Sequence, residues 1–446
     1  MASNIKKGNN RFAAMLTSVV DQGRRFIKAQ APHEPLIERC KLLVSTRGEA
    51  SGTALARDIL DTYELLDTGE KIAFFTDLAE RFDPDPDLIR KTAEAYAKSH
   101  STTDFRRLLE ASEPGRRELF RRLNQAPDGT ASLVRIRADL LSLSKDHQTF
   151  ARIDLDLELL LKAWFNRGFL DMVPIDWNTP ANLLEKISHY EAVHEINSWE
   201  ELRQRVEPPD RRCYAFFHPR MPDEPLIFVQ VALTQEMPAK IGELLATDRQ
   251  QIEPSKANTA VFYSISNCQL GLRGISFGNF LIKQVANDLR DELPQLKSFV
   301  TLSPAPGFRG WLDKNQDDDT LARQLVPQLQ DRRWLEDSGL IEKLGQTMKT
   351  LAAEYFMHAK RKQNVPHDPV ARFHLGNGAI LERINIAGDL SARGLDDAYG
   401  LMVNYKYDLT KVEENHENYA NTGAIVTSKA VSELAKQAER LRRAPA

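Results

Sequence analysis

A serine at a strand end and a histidine ahead of a glycine-containing loop are the residues in this chain with the clearest chemistry to offer. Ser303 stands in TLSPAPGF, where Pro304 biases it toward extended backbone and Pro306 and Gly307 stiffen and turn the chain just afterwards. Its hydroxyl is therefore aimed in one direction at the rim of a sheet, although a strand-terminating turn residue would look the same. His374 stands in ARFHLGNGA between Phe373 and Leu375, just before Gly376, Asn377 and Gly378. A neutral imidazole there can receive and return a proton near physiological pH; a satisfied, partly buried side chain is the plainer role. Tyr405 and Tyr407 alternate with Lys406 in MVNYKY, so on a strand they share a face. One hydroxyl is expected to reach a Ser–His pair unless both rings only fill core. Asn377 and Asn404 stand open in the same way. Ser264 and Ser266 in SISN could face a ligand arm but equally suit a polar strand end, and His218 in FFHPRMPDEP reads as structural before catalytic.

These side chains need a framework, and the stretch from Val261 to Leu312 supplies part of it. Val261 to Ile265 is β-branched and aromatic, and Gly271, Gly274 and Gly278 punctuate a turn. Ile282, Val285, Leu289 and Leu293 then recur at helical spacing, Pro294 ends the helix, and Ser298 to Ser303 reads as a second strand. A strand feeding a glycine-rich turn at a helix N-terminus leaves several N–H groups pointing one way, which suits a phosphate or diphosphate. Cys213 to His218, Leu226 to Leu233 and Leu401 to Tyr407 add further strands, with PRMPDEP as a turn between the first two. Asp171 to Arg205 reads as a hinge and two helices. From Arg11 to about Asn166 the pattern is one of consecutive short helices broken at Pro32, Gly48, Gly69, Pro84 and Gly115, with DPDPD at 83–87 as a helix start. The expectation is an α+β chain of two domains: an all-helical bundle over 1–168, for packing or oligomerisation, then a mixed-sheet domain over 169–446.

Composition narrows the function. A net charge of −3 over 446 residues gives no footprint for nucleic acid, and no apolar run is long enough to span a bilayer. Cys40, Cys213 and Cys268 lack metal-like spacing and predict reduced thiols in a reducing compartment. His189 and His194 do not make an i, i+4 pair and no HExxH occurs, so no metal site is expected. Lys360 to Lys362 is basic enough to meet a phosphate but better suits a solvated helix end, and Asp317 to Asp319 reads as a loop or helix start. The basic N-terminus invites a presequence interpretation that Asp21 opposes, and the chain ends RRAPA without a peroxisomal Ser-Lys-Leu, which predicts a cytoplasmic protein.

The wording of four segments goes further. VFYSISNCQLGLRGISFGNFLIKQVANDLRDELPQLKSFVTLSPAPGFRGWL from Val261, FFHPRMPDEPLIFVQVAL from Phe216, DPVARFHLGNGA from Asp368 and GLMVNYKYDL from Gly400 resemble the malonyl-CoA decarboxylase family, in the family's order, from about Asp171 to about Ser428. The resemblance implies a helical domain followed by a catalytic domain with the fold of the GNAT acetyltransferases. Its glycine-rich turn, here Arg273, Gly274, Ile275, Ser276, Phe277, Gly278 and Asn279, would hold the coenzyme A diphosphate, although the acetyltransferase glycine signature is only approximate. Ser276 departs from the acidic residue of some relatives, so no role of that carboxylate carries over. The resemblance makes Ser303 and His374 the catalytic pair, both touching malonyl-CoA, with Tyr405, Tyr407, Asn377, Ser266 and His218 as supporting candidates. It implies conversion of malonyl-CoA to acetyl-CoA and carbon dioxide without metal or cofactor, in a homo-oligomer, dimer or tetramer. The same fold also suits an acyl-CoA N-acyltransferase, or a non-enzymatic acyl-CoA sensor.

Overall fold

The computed structural model describes residues 34–45, 48–275, 280–316, 319–360 and 365–443. The helix expected from Arg11 to Pro32 lies outside them, as do Asp317, Arg361 and Lys362. The chain forms two compact units: Met1–Asp171 with Phe217–Leu226 and Gln269–Ser276, and Met172–Phe216 with Ile227–Cys268 and Phe277–Ala446.

In the first unit the described chain runs as successive short helices whose starts the sequence specifies. Asp67 and Glu70 form a reciprocal capping box ahead of Thr68–Arg81. Asp85 accepts from Asp87 and Leu88 N–H ahead of Pro86–Ser99, as DPDPD predicts. Phe75, Leu78, Leu119, Phe120, Leu133, Phe150, Ile153 and Leu157 are almost fully buried and make the core. Pro86–Ser99 and the next helix, Thr102–Ser112, bury no residue at all.

An eight-stranded sheet takes its strands from distant parts of the chain: β1 Asp171–Ile175, β2 Arg211–His218, β3 Met221–Thr234, β4 Thr259–Asn267, β5 Ser298–Thr301, β6 Ser303–Pro304, β7 Ile380–Asn385 and β8 Met402–Lys406. Their order is β1-β2-β3-β4-β5-β8-β6, with β7 also on β8. β4 and β5 are parallel, whereas β3–β4 and the pairs made by β8 are antiparallel. The mixed sheet after a helical region is the order expected from the sequence.

Several local expectations are corrected. Asp171–Ile175 is a strand where a hinge was expected. PRMPDEP is mostly strand, because β3 begins at Met221 and only Pro219 and Arg220 turn the chain; Pro222 is exposed at the start of β3, whereas Pro225 is buried. The segment Ser298 to Ser303 is two strands, not one. Its parallel register with β4 ends at Phe262↔Thr301, and Leu302 N–H donates to Phe262 C=O at 3.0 Å. Beyond that rung β4 continues beside β3 alone, while Ser303 pairs with Val403 of β8. The two parallel strands therefore part at the point where the sequence places the serine.

One extra residue in β4 has a large effect. Val231 opposes Phe262 but Gln230 opposes Ser264, leaving Tyr263 as a bulge. Adjacent residues of β3 point to opposite faces, so Phe262 and Ser264 do as well. Ala232, Val261, Tyr263, Val300, Leu302 and Met402 pack on one face against Ile241 and Leu244 of the short helix Ile241–Leu245. Thr301 and Ser303 project from the other.

Candidate active site

Ser303 reaches its position because proline follows it and a new strand partner begins with it. Its Oγ lies 2.8 Å from Thr301 Oγ1, two residues back on the same face, and 3.1 Å from Nε2 of His374. His374 is in the last turn of the helix Pro369–Gly376, just ahead of the loop that Asn377 begins. Asp368 starts that helix, its side chain accepting from Val370 and Ala371 N–H at 2.9 Å each. The other ring nitrogen of His374, Nδ1, is 2.9 Å from the hydroxyl of Tyr407. The imidazole stacks on Tyr405 with centroids 4.6 Å apart and planes at 25°.

The hydrogen bonds have a consistent direction. The serine hydroxyl donates to Thr301, so the ring proton is on Nε2, facing Ser303 Oγ, and Tyr407 donates to Nδ1. Asn377, at the C-cap of the same helix, works against the burial that raises the Tyr407 phenol's pKa. Tyr405 N–H also donates to Thr301 Oγ1, at 3.1 Å. Burial holds the His374 imidazolium pKa down to about 3, so the ring is neutral across ordinary pH. The Tyr405 hydroxyl is fully buried and has no hydrogen-bond partner among the described residues.

Four of the proposed residues therefore meet in one place: Ser303, His374, Tyr407 and Asn377, with Tyr405 as the surface under the ring. Thr301 and Asp368 belong with them and were not singled out in the sequence. The period-2 spacing of Thr301 and Ser303 pointed to the first, and Asp before Pro, a helix-start pair, to the second.

Other candidates lie elsewhere. The Oγ atoms of Ser264 and Ser266 are on the carboxylate of Glu191, 2.8 Å from both oxygens in the case of Ser264, and Ser266 Oγ also accepts from Ala192 N–H at 3.2 Å. The bulge at Tyr263 turns both serines to the face opposite Ser303. His218 has both ring nitrogens engaged in the helical unit, with Trp164 C=O at 3.1 Å and Arg220 N–H at 3.1 Å. Asn404 donates to Thr301 C=O at 2.8 Å and accepts from Asn385, tying strands together.

The glycine-rich turn can be placed only in part. In the glycine-rich turn, Gly274 has φ +82°, and a Cβ on Gly271 would fall 1.8 Å from Val134 C=O. Arg137 donates to the carbonyls of Gly271 and Arg273 at 2.8 and 2.9 Å, so the start of the turn is fastened within the helical unit. The Arg273 side chain is exposed and Ile275 is buried; Ser276, Phe277, Gly278 and Asn279 lie outside the described residues. Asp319 caps the helix Thr320–Gln330, and Lys360 makes a bridge to Pro366. Among the described residues no group of three or more His, Cys, Asp or Glu is arranged to hold a metal ion.

The model of the malonyl-CoA decarboxylase C-terminal domain matches residues 168–444, and that of the N-terminal domain matches residues 82–165. The chain belongs to the malonyl-CoA decarboxylase family. It is 35% identical over 355 residues to the mitochondrial malonyl-CoA decarboxylase of Anser anser anser, covering 73% of this chain and 70% of that one. To the Rattus norvegicus protein of the same name it is 33% identical over 361 residues, covering 74% and 73%. The crystal structure of malonyl-CoA decarboxylase from Rhodopseudomonas palustris superposes with a TM-score of 0.86 at 50% identity, over 89% of this chain and 98% of that one. The enzyme from Agrobacterium vitis gives 0.85 at 49%, over 90% and 99%. The family's C-terminal-domain model thus spans all the residues that meet around His374.

Proposed function

We propose that this protein converts malonyl-CoA to acetyl-CoA and carbon dioxide, with Ser303 and His374 carrying the chemistry. The observation behind the assignment of roles is the one-way chain of hydrogen bonds from Tyr407 through His374 and Ser303 to Thr301, in a member of the malonyl-CoA decarboxylase family.

Decarboxylation breaks the bond between the α-carbon and the carboxylate, and the electron pair passes into the thioester as an enolate. A thioester is an adequate sink, so the protein must orient the carboxylate, place a donor near the developing negative charge and deliver a proton to carbon. Ser303 hydrogen-bonds the reacting malonyl group, and His374, with its proton on Nε2, supplies the proton that completes acetyl-CoA. The α-carbon of the enolate is a far stronger base than an imidazolate or an alkoxide, so a neutral ring donates downhill and solvent restores its proton. Losing one donor to such an oxyanion costs about 3 kcal/mol, roughly a hundredfold in rate. Transfer to an amine, the alternative chemistry of an acyl-CoA fold, calls for a base, and an imidazole held down to about 3 is a poor one.

Arg273 to Asn279 is assigned to the coenzyme A phosphates, and no metal or organic cofactor has a part. Residues 169–446 form the catalytic domain and 1–168 a helical domain for self-association. The helices Pro86–Ser99 and Thr102–Ser112 support the latter: they bury nothing, and Leu88, Phe105 and Leu109 are 47%, 43% and 53% exposed. Cys40, Cys213 and Cys268 are buried and outside any disulfide, which suits the cytoplasm. Among the described residues no helix is long and apolar enough to cross a membrane.

The test is to incubate metal-chelated protein with malonyl-CoA and follow acetyl-CoA and carbon dioxide, beside Ser303→Ala and His374→Asn. Equal amounts of both products, lost in the variants, are expected. Binding without turnover in the unaltered protein would remove the decarboxylase assignment, and full turnover in either variant would remove that residue's role.

A further inference from the structure

Ser303 and His374 come from segments 71 residues apart in sequence, yet their side chains meet at 3.1 Å. A contact this short between a two-residue strand and a short helix needs something to hold the two backbones in register. The Ser303–His374 bond cannot do so alone, since it must yield to substrate.

One buried carboxylate touches both backbones. Asp368, 1% exposed, turns Oδ1 to Val370 and Ala371 N–H at the start of the His374 helix. Its Oδ2 accepts from the backbone N–H of Gly307 at 3.4 Å and from the Tyr355 hydroxyl at 3.1 Å. Gly307 lies four residues beyond Ser303 and is the N-cap of the helix Phe308–Asn315. The space there is specified: a Cβ at Gly307 would fall 2.4 Å from the Tyr355 hydroxyl and 3.6 Å from Asp368 Oδ2. Pro304 and Pro306 stiffen the link between Ser303 and Gly307, so a shift at Gly307 is carried back to the serine. Each oxygen therefore serves one of the two segments, and rotating the carboxylate away would release both.

We infer that Asp368 is a positioning residue for the decarboxylation: its carboxylate clamps the Ser303 loop to the His374 helix and sets the distance between the two groups. This rests on the proposed Ser303–His374 chemistry. Asp368 does not touch the reacting atoms. Its contribution is to register, and misplacing a reacting group by about 1 Å costs on the order of a hundredfold in rate.

The clamp can be opened from either side. Asp368→Asn keeps an oxygen for Val370 and Ala371 N–H but turns an amide N–H toward that of Gly307, a donor against a donor. Gly307→Ala leaves the helix cap intact and forces the Tyr355 hydroxyl and the loop apart. Both are made in the full chain, alone and with Ser303→Ala, and kcat and KM for malonyl-CoA are measured with circular dichroism as a check on folding. Each single variant is expected to lower kcat about ten- to a hundredfold with KM within about twofold. In the Ser303→Ala background the further loss is expected to be under about twofold, because there is no serine left to misplace. An equal loss in both backgrounds, or a raised KM with kcat preserved, overturns the clamp in favour of a general structural role. Full activity in Ser303→Ala alone is a separate result: it overturns the Ser–His chemistry and takes the clamp with it.

Discussion

Replacing His374 by Asn should change how stability depends on pH, by an amount the structure allows to be worked out. An exposed imidazole in the unfolded chain titrates near 6.5, whereas burial holds the native ring at about 3. Between those values the unfolded state binds a proton that the native state refuses, so native stability falls as pH falls through this window. At pH 7 the unfolded ring is mostly neutral and the penalty is about 0.2 kcal/mol; at pH 5 it is about 2 kcal/mol. The loss is set almost wholly by the unfolded ring, because the native ring stays neutral at both pH values. The assay is urea denaturation at pH 7 and pH 5, followed by tryptophan fluorescence, for wild type and His374→Asn. His194, which burial holds down to about 4, and His218, also lowered by burial, destabilise both proteins in acid and cancel in the comparison. The variant should lose about 2 kcal/mol less than wild type between the two pH values. Equal losses would mean that the native ring titrates normally, and would remove the basis for treating His374 as a neutral donor.

Other perturbations separate chemistry from support. Tyr407→Phe takes away the hydroxyl 2.9 Å from His374 Nδ1 and should lower kcat at least about tenfold with little change in KM, since it leaves the ring tautomer unspecified and a buried nitrogen unpaired at a cost of about 1–3 kcal/mol; unchanged kcat would remove Tyr407 from the relay. Thr301→Val deletes the acceptor of both the Ser303 hydroxyl and Tyr405 N–H and should lower turnover and stability together, read by steady-state kinetics and urea midpoint. Glu191→Ala should do the reverse of Tyr407→Phe, because that carboxylate accepts from Ser264, Gln230 and the backbone of Val193 and His194 on the other sheet face. A stability loss of about 3 kcal/mol with kcat of the folded enzyme preserved is expected, and a selective loss of kcat would bring Glu191 into the chemistry. Prolonged chelation should leave the rate of acetyl-CoA formation unchanged.

Local chemistry legible in the chain accounts for much of the architecture. Helix starts at Asp67 and Asp85 follow from side chains that cap their own neighbours' N–H groups, and the β-branched run of β4 and the helix Phe280–Glu292 follow from hydrophobic period. The segments holding Ser303, His374, Tyr407 and Asn377 could be picked out because residue type and family wording coincide there. What sequence could not supply was contact between segments far apart along the chain. It left Tyr405 and Tyr407 equivalent; the fold uses one hydroxyl as a donor to His374 and the other ring as the surface beneath it. It grouped Ser264 and Ser266 with possible ligand contacts, and a single bulged residue, Tyr263, reverses their face. Facing is decided by register between strands, and one inserted residue inverts every side chain beyond it. Asp368 carried only the signature of a helix cap, which uses one carboxylate oxygen; the second oxygen meets Gly307 and Tyr355 only once the chain has closed on itself. Composition, period and capping act over a few residues and so are written along the chain, whereas bringing an imidazole within 3.1 Å of a hydroxyl 71 positions away is a result of packing that no local pattern encodes.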